Sequence, residues 1–296
     1  MTRIIPRNLI KHLEWVPGQE VPLQPTAPII PSRPSNKMYT LDEILQGKTF
    51  YSTKQDKGKY IGVAVALDEA LKYVGSDGIV ATMPELIAAK LKTDKDHDFW
   101  KQWYTVHTEE NIGVDAKGRF YDRNKPVLVV VHGGGILTPE RIKKAYDEGL
   151  INNSARYRDE EFNTLLDGRL FDGTAIPLHT FEEIKKGVPD LPHQFGVVMP
   201  YEMAQRTTSG WHKKKEFLEN PLVIARAGGT EHVEAYHARA KDSEGDVGSW
   251  HPFQGRDPST AQCSLLFLND NHGGLDGDNN LVNGGRFVGV APEAHC

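Results

Sequence analysis

The stretch from Pro126 to Glu140, PVLVVVHGGGILTPE, limits the architecture more tightly than any other part of this 296-residue chain. Its unbroken, largely β-branched run predicts a strand covered on both faces, the usual condition of a strand inside a parallel sheet. Three glycines then permit a sharp turn. Thr138 supplies an N-cap for the helix that follows, with Pro139 at its first position. A strand, tight turn and capped helix in that order aim free backbone N–H groups and the positive helix end at one spot, where an anion can sit.

Other local signals place further elements. Thr40 with Glu43, Thr82 with Glu85 and Thr180 with Glu183 form capping boxes; the first helix stops at Gly47 and the third at Gly187. Ile61 to Val74 reads as a strand entering a helix or as one buried helix, and periodicity does not decide between them. Phe195–Met199, Ser264–Leu268 and Arg286–Val290 read as strands. Pro221–Ala225 reads as another, followed by Gly228-Gly229-Thr230 and a helix to about Ala240, the same design as at Pro126. This alternation predicts an α/β fold, a mostly parallel sheet with flanking helices, forming one domain over 38–296 with a loop-rich C-terminal third. Residues 1–37 carry Pro17, Pro22, Pro25, Pro28, Pro31 and Pro34, which predict an extended arm. Leu23, Ile29 and Ile30 give that arm something to bury, so residues 16–34 are expected to lie on their own body or join a homo-oligomer.

A net charge of −5 gives no electrostatic reason for nucleic acid or an anionic membrane as partner. No apolar run is long enough to span a bilayer. Cys263 and Cys296 cannot build a disulfide framework, which fits a reducing, cytoplasmic setting.

His132-Gly133-Gly134-Gly135, with its strand, resembles the oxyanion-hole turn of the esterase and lipase branch of α/β-hydrolases. The resemblance implies backbone amides of this turn reaching a developing alkoxide. That family's G-x-S-x-G elbow does not occur in the chain, and Ser209, set in TTSGW, has no strand to present it. Phosphate-binding G-x-x-x-x-G-K-[ST] and G-x-G-x-x-G are also absent.

After the second glycine turn, His232 falls in the first turn of a helix, while Glu234 and His237, three apart, share its face. The segment Asn269–Asn280 is rich in oxygen ligands and glycine, which suits calcium or magnesium. Asp276 and Asp278 alternate like the opening of a calcium loop, with Asp270 and His272 close by. Leu281 and Phe287 fill the positions where an EF-hand carries glycine and glutamate. Asp94, Asp96, His97 and Asp98 make a weaker cluster, and Cys263 heads a buried strand. Trp100, Trp103, Trp211 and Trp250 suit core packing or a pocket wall.

These residues together lead to an expectation of a hydrolase for a small anionic or carbonyl-bearing substrate, assisted by a divalent cation. His132, His232 and His272 would move protons. Gly133, Gly134, Gly135, Gly228, Gly229 and Thr230 would hold the substrate, and Asp276 and Asp278 the cation. The competing expectation is a non-catalytic structural or assembly protein that oligomerises through its arm; a third is a non-catalytic calcium-binding domain.

Overall fold

The computed structural model describes residues 39–56, 58–269, 274–277 and 280–292. The expected arm lies outside these residues, as do Asp270, His272 and Asp278. The described chain opens with α1 (Leu41–Leu45), β1 (Lys48–Ser52), β2 (Gln55–Asp56), β3 (Lys59–Tyr60), α2 (Gly62–Val74) and β4 (Ile79–Val80). It continues through α3 (Met83–Lys92), α4 (Asp98–Lys101), β5 (Tyr104–Asp115), β6 (Lys125–His132) and α5 (Pro139–Glu148). Then come β7 (Ala155–Arg156), α6 (Asp159–Leu166), β8 (Leu178–Thr180), α7 (Phe181–Lys186), β9 (Phe195–Pro200) and α8 (Tyr201–Gln205). The last part holds β10 (Gly210–His212), α9 (Lys214–Glu219), α10 (Pro221–Arg226), α11 (Val233–Ala240), β11 (Val247–Trp250), β12 (Gln262–Leu268), β13 (Leu275–Asp276) and β14 (Gly285–Val290).

The main sheet runs β10-β11-β13-β12-β5-β6-β9-β8, with β7 added to the far end of β12. A smaller sheet, β1-β14-β4, pairs the first described strand with the last. Only β11 with β13 and β8 with β9 are parallel; every other strand pair among the described residues is antiparallel. The mostly parallel α/β fold is therefore corrected to a mixed, largely antiparallel sheet-rich fold. The valine run did report burial on two faces: Val127, Val129 and Val131 enter one core and Leu128 and Val130 another. Two-face burial says nothing about strand direction, and β6 runs antiparallel to both β5 and β9.

Pro221–Ala225 forms α10 instead of a strand. Asn220 caps it, its Oδ1 accepting from Leu222 N at 2.9 Å and Val223 N at 3.4 Å, and Pro221 sits where a missing N–H costs nothing. Ile61–Val74 resolves to a single buried helix, α2. The capping boxes at Thr40, Thr82 and Thr180 all form.

Candidate functional site

The glycine turn after β6 does hold a carboxylate, but the carboxylate is the protein's own. Glu109 on β5 accepts from Ile136 N at 2.6 Å and Leu137 N at 3.0 Å. Asn111 donates to the same group at 3.3 Å. A side chain at Gly135 would place its Cβ 1.7 Å from Glu109 Oε1, so glycine is required there for the carboxylate to reach the amides. Burial pushes the Glu109 carboxyl up to about 6, against the opposing pull of these donors. The amides that follow the glycines are thus taken up by a side chain of the fold itself.

His132 lies in the core, stacked on Phe195 with ring centroids 4.4 Å apart. Its Nε2 faces the Ala225 carbonyl at 3.1 Å. A carbonyl can only accept, so Nε2 carries the proton. Nδ1 then accepts from the Thr108 hydroxyl at 3.1 Å, which itself accepts from Met83 N. Burial pulls the imidazole down to about 4. A neutral ring with both nitrogens engaged holds β5, β6 and α10 together.

The segment that opens β9 touches both glycine turns. Gln194 Nε2 donates to the Gly133 carbonyl at 2.9 Å, and Phe195 packs under Gly228. Gly228 and Gly229 close the end of α10, their N–H groups donating to Ala225 O at 3.2 Å and Ile224 O at 2.9 Å. Thr230 is exposed. His232 is partly buried and lines a cavity of about 220 Å³ with Gly228, Gly229, Glu85 and His193. His193 Nδ1 lies 2.8 Å from Glu85 Oε1. His132 is absent from that lining, and His272 lies outside the described residues. Glu234 pairs with Lys214 at 2.6 Å, while His237 is buried against Phe217, so these two do not form a shared ligand face. Burial pushes the Cys263 thiol up. Asp276 pairs in the sheet with Trp250 and Phe267. Among the described residues no group of three or more His, Cys, Asp or Glu side chains is placed to hold a metal ion.

The opposite end of the main sheet presents a different surface. Trp211, 47% exposed, stands on the edge strand β10, opposite Gly248 of β11. A Cβ at Gly248 would fall 2.2 Å from the Trp250 ring, and one at Gly274 would fall 2.7 Å from it. Two glycines thus let Trp250 lie across the sheet, and Trp211 meets its ring edge-on at 5.4 Å and 84°. Behind this pair, Arg226 of α10 is fully buried. It donates to Glu110 Oε1 at 2.7 Å, to Ser249 Oγ at 3.2 Å and to the Leu275 carbonyl at 2.8 Å. One guanidinium therefore ties β5, β11 and β13 directly beneath the tryptophans. Lys213 flanks them, paired with Asp246 at 2.9 Å.

No protein-family model and no curated protein matches the chain. Among solved structures, it is similar to one described as "Accommodation of massive sequence variation in Nanoarchaeota by the C-type lectin fold". The identity is 27%, the TM-score 0.61, and the match spans 83% of this chain and 97% of that one. The fold thus resembles the C-type lectin fold and not that of an α/β-hydrolase. That likeness overturns the hydrolase reading, and the metal-assisted mechanism goes with it. The resemblance of the His132 turn to an oxyanion hole is local, and Glu109 accounts for it. No helix among the described residues is long and apolar enough to cross a membrane.

Proposed function

We propose that this protein is a non-catalytic binding protein whose contact surface is the loop-bearing sheet edge around Trp211 and Trp250. The observation that carries this reading is the likeness to a C-type lectin fold over nearly the whole of the matched structure. That structure is described as accommodating massive sequence variation, which in this chain corresponds to a rigid body bearing loops free to differ. Exposed tryptophan on a buttressed edge suits such a role, since a rigid amphipathic ring gives contact area at little entropic cost. The buried Arg226 hub keeps that edge fixed while its loops carry recognition.

The test is an array of glycans and peptides probed with labelled protein, run beside p-nitrophenyl ester and phosphate hydrolysis assays. Array ligands retained by the native chain and lost by Trp211→Ser, with an unchanged circular dichroism spectrum, are expected. Hydrolysis that disappears in His232→Ala would refute the reading.

A further inference from the structure

A second surface lies at the other end of β12. There a cleft of about 1020 Å³ opens between α5, the start of α6 and two small hairpins. β7 beside it pairs with Gln262 and Cys263, whereas β13, which pairs with β11 of the tryptophan edge, pairs with Phe267 and Leu268. Both hairpins are closed by backbone hydrogen bonds. Ile151 and Ser154 exchange two backbone hydrogen bonds of 2.9 Å around Asn152 and Asn153. The φ values of those asparagines, 50° and 65°, make a tight type I′ turn. In the second hairpin Leu170 N donates to Thr174 O at 2.8 Å, which holds Phe171 at the tip with 58% of its surface exposed.

The charge of the cleft runs against that of the molecule. The chain carries −5, yet the four cationic side chains of Arg141, Lys144, Arg156 and Arg158 outnumber the carboxylates of Glu140, Glu148 and Glu161 along this cleft. Arg141 and Arg158 converge on the single buried carboxylate of Glu161, at 3.3 and 3.5 Å. Lys144 reaches Glu148 at 3.4 Å. The exposed Arg156 side chain has no ion pair among the described residues, although its carbonyl accepts from Arg141 at 3.1 Å. Leu150 and Phe171 add an apolar wall beside this cationic one.

We propose that this cleft docks an extended acidic peptide segment of a partner protein that carries one bulky apolar side chain. The apolar residue packs on Phe171 and Leu150, and flanking carboxylates meet Arg156 and Arg158. Preformed walls keep the ordering cost low, and the guanidiniums supply charge-assisted hydrogen bonds.

Fluorescence anisotropy on the full chain tests this with a fluoresceinated polyglutamate peptide containing one phenylalanine. The polylysine counterpart and a single-stranded oligodeoxynucleotide serve as controls. The glutamate peptide is expected to bind best and to weaken as salt rises. Arg156→Glu and Phe171→Ser, both at exposed positions, are each expected to weaken it about tenfold. Trp211→Ser is expected to leave it unchanged, which separates this site from the tryptophan edge. Equal binding of both peptides, tighter binding of the oligonucleotide, or full affinity in Arg156→Glu and Phe171→Ser would overturn the proposal.

Discussion

Gly135 and Glu109 form a pair whose energetics can be worked out from their geometry. Gly135 does not have positive φ, so its backbone accepts alanine; only space forbids it. The added Cβ would sit 1.7 Å from Glu109 Oε1 and 2.2 Å from its Cδ, which forces the carboxylate off the Ile136 and Leu137 amides. Each buried N–H left without a partner costs about 1–3 kcal/mol, so Gly135→Ala is expected to cost about 3 kcal/mol. Glu109→Ala orphans the same two amides and is expected to cost about the same. In the double variant the clash is gone and the amides are lost only once. The total then stays near 3 kcal/mol, giving a coupling of about 3 kcal/mol in a double-mutant cycle. Guanidinium unfolding followed by tryptophan fluorescence measures all four proteins. Costs that add to about 6 kcal/mol, or a neutral Gly135→Ala, would refute the assignment of these amides to Glu109.

Two more expectations concern buried charge. His132 has its folded value pulled to about 4 from 6.5, so between those values the unfolded chain binds a proton that the native state refuses. Its contribution, about 3 kcal/mol, is complete above pH 6.5 and lost as the pH falls towards 4. Glu109, raised from 4.5 to about 6, acts in the opposite sense. Its contribution is present below pH 4.5 and about 2 kcal/mol is lost as the pH rises to 6. Glu109→Ala is therefore expected to steepen the acid-side fall in stability between pH 6 and 4.5, as measured by denaturation at stepped pH. Arg226→Leu strands the buried Glu110 carboxylate and is expected to cost about 3–5 kcal/mol, whereas Arg226→Leu with Glu110→Leu costs less than the single change. A double variant no more stable than Arg226→Leu in guanidinium unfolding would count against that account.

Local chemistry was legible in the sequence wherever neighbours in the chain decide it. Thr138 caps α5, accepting from Arg141 N at 3.2 Å, and Thr180 with Glu183 caps α7, because each partner lies within one helical turn. The valine run of β6 announced burial but could not announce direction, and Pro221–Ala225 was too short for periodicity to separate strand from buried helix. The unused signal was Asn220 before Pro221, a capping residue ahead of a first-turn proline.

The buried carboxylates were harder to see. Glu109 and Glu110 sit side by side on β5 and point to opposite faces, as successive strand residues do. One meets the amides of a turn 27 residues downstream, the other an arginine 116 residues downstream. Nothing adjacent in the sequence distinguishes such a pair from a solvated strand. Glu85 and His193, joined across 108 residues, were hidden in the same way.

The place of β14 bears on how the chain reaches its fold during synthesis. β14 is the middle strand of its sheet, and its partners β1 and β4 lie more than 180 residues upstream. Until it leaves the ribosome neither has a ladder, and α2, with Val63 and Leu67 fully buried in the finished protein, has no such sheet to cover it. Closure therefore waits until Gly285–Val290 has been made, and a nascent chain stalled before Gly285 exposes a greasy helix that invites chaperones.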